Sequence, residues 1–202
     1  VQFCTAYKSI LMKHNLYATA TTGRLIADNT GLPTTLLLSH KQGGHQQINA
    51  RIAYNEIDLV LLFTDPNTVI YGHNMKNDAM FGSLMGYKEQ AYYEEHPTMT
   101  LYTPDGDYII ELLSGTLESG DREFVRFRFE SEEDFTGYIQ SLQSRSTFSS
   151  HGTAVPGDRL VSLCTCTYEQ NNARYLVVGR LLPVSESGAQ DEKRAVRQRD
   201  SL

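Results

Sequence analysis

Cysteine is scarce in this sequence, whose 202 residues include only Cys4, Cys164 and Cys166. So small and odd a number does not form the disulfide framework of a small secreted domain. We expect Cys164 and Cys166, which are two positions apart, to face opposite sides of a strand and not to bridge each other. The sequence therefore favours a lone nucleophilic cysteine over structural disulfides.

Long apolar runs and an excess of positive charge are also missing. No stretch reaches the roughly 18 apolar residues of a membrane helix, and no basic-then-apolar signal segment opens the chain. We therefore expect no membrane anchor within this sequence. Lys and Arg total 18 against 24 Asp and Glu, which gives a formal net charge of -6. Because nucleic-acid-binding proteins usually carry a basic patch, we expect no nucleic-acid partner.

Apolar patterning in the first third of the chain predicts alternating helices and strands. Helices are predicted at residues 3–13, 22–29 and 46–55, and strands at residues 34–38 and 59–63. Uninterrupted apolar runs such as 59–63 are typical of parallel strands that are buried on both faces. This βα pattern predicts a flavodoxin-like α/β fragment of an open, doubly wound sheet.

The pattern changes near Asp65, after which short strand signals are separated by turns. A hairpin turn is predicted at residues 104–107, and Ser131 is predicted to cap a helix over residues 131–144. Many short strands with few helices indicate a mainly-β barrel or sandwich. The predicted strands are residues 68–71, 98–102, 108–113, 124–129, 159–163 and 175–181.

These patterns divide the chain into three predicted parts with different characters. Residues 1–66 form a partial α/β segment, and residues 67–184 form a mainly-β region with one helix. Residues 185–202 are polar and charged with little to bury, so we predict a disordered tail. The predicted fold class is therefore mixed, with the change of class at about residues 65–68.

Three chemically active side chains stand at predicted strand ends in the mainly-β region. They are His73, Cys166 and Arg174. A neighbouring imidazolium or guanidinium lowers the pKa of a thiol, and the resulting thiolate attacks carbonyl carbons. The imidazole can then protonate a leaving amine, while a guanidinium can hold an oxyanion. Taken singly, each residue is more often structural, as a turn histidine, a buried cysteine or a solvated arginine.

The segments that carry these residues resemble class B sortases. Residues 71–76 (Tyr-Gly-His-Asn-Met-Lys) and 80–84 (Met-Phe-Gly-Ser-Leu) resemble the segment around that family's catalytic histidine. Residues 162–167 (Ser-Leu-Cys-Thr-Cys-Thr) resemble the Thr-Leu-x-Thr-Cys nucleophile motif, with Ser in place of the first Thr. Residues 173–178 (Ala-Arg-Tyr-Leu-Val-Val) resemble the strand that delivers the arginine. The resemblance covers about residues 67–183.

This resemblance implies a cysteine transpeptidase on a sortase-like barrel with no cofactor. Cys166 would be the nucleophile, His73 the general acid and base, and Arg174 the stabiliser of the transition state, with Cys164 structural. The implied partners are the sorting-signal peptide of a secreted protein and an amine acceptor of the cell wall or a pilin. The implied location is the extracellular side of the membrane of Gram-positive bacteria.

Residues 1–66 resemble a different family, the methylglyoxal synthases. The resemblance rests on residues 16–23 (Leu-Tyr-Ala-Thr-Ala-Thr-Thr-Gly), residues 39–47 (Ser-His-Lys-Gln-Gly-Gly-His-Gln-Gln) and residues 50–66. It implies a cytoplasmic lyase that eliminates phosphate from dihydroxyacetone phosphate. The residues that would hold the substrate phosphate are Thr19, Thr21, Thr22 and Ser39.

His45 departs from the synthase pattern, because the family has its general-base aspartate at this position. A misplaced catalytic group costs much rate, so we expect no synthase activity. A non-catalytic remnant that binds a small anion stays open as a further alternative. His40 and His45 are the closest pair of histidines, and we expect loop residues there and no metal site.

The join of two unrelated families makes the chain look chimeric. The sortase-like region lacks the strands that normally precede the strand bearing the catalytic histidine. A sheet without those strands exposes unpaired backbone groups along one edge. We therefore expect the edge next to residues 68–71 to be bare unless the preceding βα segment covers it.

Overall fold

The computed structural model describes residues 1–37, 57, 59–62, 66–75, 80–103, 106–120, 124–168 and 172–184. The chain divides into two compact units, one of residues 1–58 with 103–105 and one of residues 59–102 with 106–202. Outside the described residues lie the whole predicted helix at 46–55, part of the turn at 104–107, Ser39, His45 and the predicted tail.

The first unit contains a βαβ arrangement. Its elements are α1 (Gln2–Ala6), α2 (Lys8–Leu11), β1 (Leu16–Thr19), α3 (Ala20–Thr30) and β2 (Thr34–Leu37). Strands β1 and β2 pair in parallel, as the predicted α/β fold class requires.

Two local predictions in this unit need correction. The single helix predicted over residues 3–13 is two short helices that meet at Tyr7. Residues 16–19, where no strand was predicted, form strand β1. Helix α3 ends at Gly31, whose φ of 68° is the left-handed conformation that glycine adopts readily.

The second unit is built on a six-stranded, curled sheet with few helices, and the predicted mainly-β class is confirmed. Its helices are a 3₁₀ helix (Gly82–Lys88), α4 (Gln90–Glu95) and α5 (Glu132–Ser144). Its strands are β3 (Leu59–Leu62), β4 (Asn67–Gly72), β5 (Thr98–Thr103), β6 (Gly106–Ser119), β7 (Leu160–Cys166) and β8 (Ala173–Pro183). The strand order is β3-β4-β7-β8-β6-β5.

The pairing directions place β7 at the centre of this sheet. Strand β7 runs parallel to β4 on one side and antiparallel to β8 on the other, and β8 runs antiparallel to β6. A parallel pair needs a long connection. Here the connection contains strands β5 and β6 and helix α5, which all lie between β4 and β7 in sequence.

Strand β3 covers the edge of β4 that was expected to be bare. Its pairing with β4 is antiparallel and runs from Leu59 opposite Gly72 to Leu62 opposite Val69. The expectation of a parallel strand buried on both faces is therefore wrong, and Leu59 is 45% exposed. By sequence β3 precedes the predicted junction at residues 66–67, yet it lies in the second unit. A strand from the synthase-like segment thus extends the sortase-like sheet.

Two apolar clusters lie on opposite faces of the sheet, because successive side chains of a strand alternate between faces. One cluster joins Leu160 and Cys164 of β7 to the inner face of α5. The other joins Val161 and Leu163 of β7 to the 3₁₀ helix and α4. As predicted, Ser131 caps α5, and its Oγ accepts a hydrogen bond from the Asp134 amide at 3.2 Å.

Residues 124–129, predicted as a strand, are not one. Their apolar side chains, including the buried Val125, belong to the α5 cluster or pack against it. Their backbone is held instead by a side chain, because Asn67 Nδ2 donates to the Arg126 carbonyl at 3.1 Å. Asn67 Oδ1 also accepts a hydrogen bond of 3.0 Å from Ser162 Oγ, which ties β4 to β7.

Replacing Asn67 should destabilise the second unit, because Asn67→Ala leaves two buried polar groups without this partner. Asn67 is 0% exposed, and buried groups that lose their partner cost roughly 1–3 kcal/mol each. We expect a loss of about 2–3 kcal/mol in the free energy of unfolding, measured by urea denaturation. Asn29→Ala, at an exposed helical position, is the control and should cost less than half as much. Equal losses would show that the Asn67 network is not a major contact.

Candidate functional site

The pairing of β7 with β8 sets Cys166 directly opposite Arg174. The next pair along, Thr167 and Ala173, is linked by a hydrogen bond from the Thr167 amide to the Ala173 carbonyl at 3.1 Å. Hydrogen-bonded and non-hydrogen-bonded pairs alternate along an antiparallel ladder, so Cys166 and Arg174 form a non-hydrogen-bonded pair. In such pairs the Cα atoms lie about 4.5 Å apart and the two side chains share one face.

His73 follows β4 on the other side of β7. The parallel register places Tyr71 opposite Cys164. Cys166 is two residues further along β7 and shares the face of Cys164, while His73 follows directly after the end of β4. The sequence-predicted residues His73, Cys166 and Arg174 therefore lie at or next to the ends of three neighbouring strands, and together they form the row of the site.

Three hydrogen bonds fasten the segment after β4 to the end of β7. Thr165 Oγ1 donates to the Gly72 carbonyl at 2.9 Å, and Asn74 Nδ2 donates to the Cys166 carbonyl at 2.8 Å. Tyr168 Oη then donates to the Asn74 carbonyl at 2.9 Å. These contacts flank His73 and Cys166, so they hold the imidazole-bearing and thiol-bearing backbones at a fixed separation.

Sequence reasoning missed the contribution of Asn74, Thr165 and Tyr168 to this site. Each is polar and lies within two residues of His73 or Cys166. Asn74 and Thr165 are nevertheless buried, which is unusual for polar side chains without a structural task. That adjacency was the available signal, but the register needed to interpret it depends on strands far apart in sequence.

The three candidate side chains are half-buried, so each is accessible from one side. Within the described residues the Arg174 guanidinium has one hydrogen bond, from Nη1 to the Ala173 carbonyl at 3.1 Å. That bond is to the backbone of its own strand and leaves most guanidinium donors unused. Arg174 can therefore offer further N–H groups to a ligand beside Cys166.

Cys164 differs sharply from Cys166, although both belong to β7. Cys164 is 0% exposed in the α5 cluster. Its burial raises the pKa of the thiol to about 12, with Arg174 lowering it and Cys166 raising it further. The expectation that the two cysteines face opposite sides is wrong, because residues two apart in a strand share a face. The structure leaves both cysteines as free thiols.

Tyr71 lines the same face and is also held in its neutral form. Burial raises the pKa of its phenol to about 12, Cys164 raises it further, and Arg174 lowers it. Arg174 thus acts electrostatically on both Tyr71 and Cys164. On this face the Arg174 guanidinium therefore lies near a phenol and a thiol that both stay protonated at neutral pH.

In the first unit the structure brings some of the predicted phosphate ligands together. Thr19 is the N-cap of α3, and its Oγ1 donates to Thr22 Oγ1 at 3.3 Å. Thr21 is exposed in the first turn of the same helix. A helix N-terminus favours anions through its free amides. Ser39, the fourth predicted ligand, lies outside the described residues.

The described residues lack two further features, a membrane-spanning helix and a metal site. No helix among those residues is long and apolar enough to cross a membrane. Over the same ranges, no group of three or more His, Cys, Asp or Glu side chains is placed to hold a metal ion.

Comparison with known proteins finds similarity to the same two families. Residues 1–79 match the family model of the MGS-like domain. Over 68 residues the chain is 57% identical to the methylglyoxal synthase of Caldicellulosiruptor saccharolyticus, covering 34% of this chain and 48% of the relative. Over 122 residues it is 30% identical to sortase B of Listeria monocytogenes, covering 59% of this chain and 50% of the relative.

The structural comparison agrees with the sortase B resemblance. The structure of the Staphylococcus aureus sortase B–substrate complex superimposes with a TM-score of 0.58 at 25% identity. That match covers 63% of each chain. The chain spans about half the length of the curated relatives it matches. The expected architecture, an MGS-like segment followed by a sortase B-like region, is confirmed.

The burial difference between the cysteines predicts selective alkylation by iodoacetamide. Cys166 should react at pH 8, whereas Cys164 is buried and, with a pKa of about 12, has a thiolate fraction of only about one in ten thousand. Cys4, half-buried in the first unit, should also react and serves as the internal reference. Peptide mass mapping after timed labelling distinguishes the three sites. Labelling of Cys164 as fast as Cys166 would contradict the described burial.

Proposed function

We propose that the second unit is a sortase-type cysteine transpeptidase that acts through Cys166. One observation supports the proposal: β7 pairs Cys166 with Arg174 of β8 on one side, and on its other side β7 pairs with β4, which ends one residue before His73. A thiol, an imidazole and a guanidinium in one row are the groups that acyl transfer through a thioester requires. The similarity to sortase B supports the same chemistry.

The proposed first half-reaction forms a thioacyl enzyme. The Cys166 thiolate attacks the carbonyl carbon of the scissile peptide bond, and Arg174 donates hydrogen bonds to the resulting oxyanion. The C–N bond then breaks, and the His73 imidazolium gives its proton to the leaving amine. The acyl group stays on sulfur as a thioester.

The proposed second half-reaction returns the enzyme to its starting state. An acceptor amine attacks the thioester carbonyl, and neutral His73 takes the proton that the amine loses. Collapse of the intermediate forms a new amide and releases the Cys166 thiolate. Because His73 loses one proton in the first step and regains one in the second, no external acid or base is consumed.

The proposed donor substrate is the sorting-signal peptide of a secreted protein, and the proposed acceptor is an amine of the cell wall or a pilin. A sortase B that superimposes on this chain was solved as a substrate complex. The proposal places the site on the extracellular side of the membrane. It assigns the catalytic work to residues 67–184 and treats residues 1–66 as a separate segment.

A peptide assay on the full chain tests the proposal. The probe is a fluorogenic library of sorting-signal peptides, with triglycine as the acceptor amine. Cys166→Ala should abolish cleavage because no other described thiol lies in the row. Arg174→Lys should lower kcat by about 10²-fold, since a lysine cannot reproduce the guanidinium fork.

Cys164→Ser is the matched control, because it removes a thiol from the same strand and face but not from the row. It should retain cleavage, with circular dichroism confirming the fold. Cleavage that persists in Cys166→Ala, or disappears only in Cys164→Ser, would overturn the assignment of the nucleophile.

A second candidate function is favoured by the N-terminus of α3, where Thr19 and Thr22 adjoin a free helix end. We propose that this segment binds phosphate without turning over dihydroxyacetone phosphate, since His45 replaces the expected aspartate base. Purified protein should release no methylglyoxal in a coupled colorimetric assay. His45→Asp tests whether the base alone is missing; methylglyoxal from the unaltered chain would contradict the proposal.

A further inference from the structure

Glu118 of β6 extends the site row by one strand. The pairing of β6 with β8 sets Glu118 directly opposite Arg174, which is itself opposite Cys166. The Gly120 amide donates to the Asn172 carbonyl at 2.7 Å, so Gly120 and Asn172 form a hydrogen-bonded pair. Because pair types alternate along an antiparallel ladder, Glu118 and Arg174, two residues away on each strand, also form a hydrogen-bonded pair. Its Cα atoms lie about 5.5 Å apart and its side chains share the site face.

The Glu118 carboxylate is nevertheless bonded to a different cation. Arg145 Nη1 donates to Glu118 Oε1 at 2.7 Å. Arg145 is the C-cap of α5, and its Nε also donates to the Ser141 carbonyl at 3.3 Å. The positive group is well placed at a helix C-terminus, where it complements the helix dipole.

Because the Glu118 side chain is mostly buried, its ion pair with Arg145 affects the neighbouring charges. The Glu118 side chain is 12% exposed, whereas that of Arg145 is 49% exposed. An ionised carboxylate that is mostly removed from water is costly when it loses its partner, and a neighbouring cation relieves that cost. Among the described residues, Arg174 is such a cation, because it lies directly across the strand pair from Glu118.

In the described part of the chain, the other ionisable groups around Glu118 supply no free positive charge. Tyr138 of α5 and Cys164 of β7 both interact electrostatically with Glu118. Burial raises the pKa of each to about 12, so both stay neutral from pH 6 to pH 9. Arg126, which also faces Tyr138, is already bonded to Asp134 by two hydrogen bonds of 2.7 Å.

We propose that Arg145 is a positioning residue that occupies the Glu118 carboxylate and so leaves the Arg174 guanidinium to Cys166. Without Arg145, Glu118 draws the guanidinium towards β6 and away from the thiol. The consequence for catalysis rests on the transpeptidase proposed above. The consequence for the reactivity of the Cys166 thiol does not rest on it, because moving a cation away from a thiol makes the thiolate less favourable whatever the substrate.

Alkylation of Cys166 by iodoacetamide between pH 5 and pH 10 tests this arrangement in the full chain, with Cys4 labelling as the internal reference. Arg145→Gln should slow Cys166 labelling at pH 7 about three- to tenfold, because a cation beside a thiol promotes its reaction as thiolate. The double variant Glu118→Gln/Arg145→Gln should return the rate to within twofold of the unaltered chain. A purely structural ion pair would not be rescued in this way.

Arg126→Gln is the matched control, because it breaks an ion pair at the other end of α5. It should leave the Cys166 profile unchanged. Glu118→Gln alone should label at least as fast as the unaltered chain, and it keeps the test decisive if Arg145→Gln does not fold. Slower labelling in Glu118→Gln, no effect of Arg145→Gln, or no rescue in the double variant would each overturn the proposal.

Peptide cleavage by the same variants separates the two proposals. If cleavage occurs, Arg145→Gln should lower kcat with little change in KM, and the double variant should recover it. If no peptide is cleaved while the labelling profiles behave as expected, the transpeptidase fails and the positioning role stands. If peptides are cleaved and the profiles do not change, the positioning role fails alone.

Discussion

The register of β7 between β4 and β8 is the constraint on which the site depends. A slip of one residue would turn every side chain of β7 to the other face of the sheet. The buried alternation of β7 opposes such a slip, because Cys164 belongs to the cluster under α5 and Leu163 belongs to the cluster on the other face. The packing of two cores therefore fixes where Cys166 lies relative to His73 and Arg174.

The chimeric join is accommodated at the edge of this sheet and not at its centre. Strand β3, which comes from the synthase-like part of the sequence, supplies backbone partners for β4 over four residues. That pairing supplies hydrogen-bond partners for the edge of β4, the strand that directly precedes His73. The Asn67 side chain secures the first residue of β4 to β7 and to residues 124–129.

Sequence reasoning predicted the two fold classes, most strands of the second unit and the cap of α5, because these follow from local periodicity and capping chemistry. It failed where the structure of a segment depends on which other strand it pairs with. The direction of β3 depends on which strand offers a free edge, and residues 124–129 have strand-like composition but no ladder to join. The roles of Asn74 and Glu118 depend on register between distant strands, which periodicity does not encode. The shared face of Cys164 and Cys166 was available from strand geometry and was misjudged.

Cross-linking across the β7–β8 pair tests the row most directly. In the variant Arg174→Cys the new thiol would lie opposite Cys166 in a non-hydrogen-bonded pair, where Cβ separations suit a disulfide. After mild oxidation of the folded chain, non-reducing peptide mapping should find a disulfide between positions 166 and 174. A bond from position 174 to Cys164, or two free thiols in a protein that is otherwise folded, would contradict the register and the site built on it.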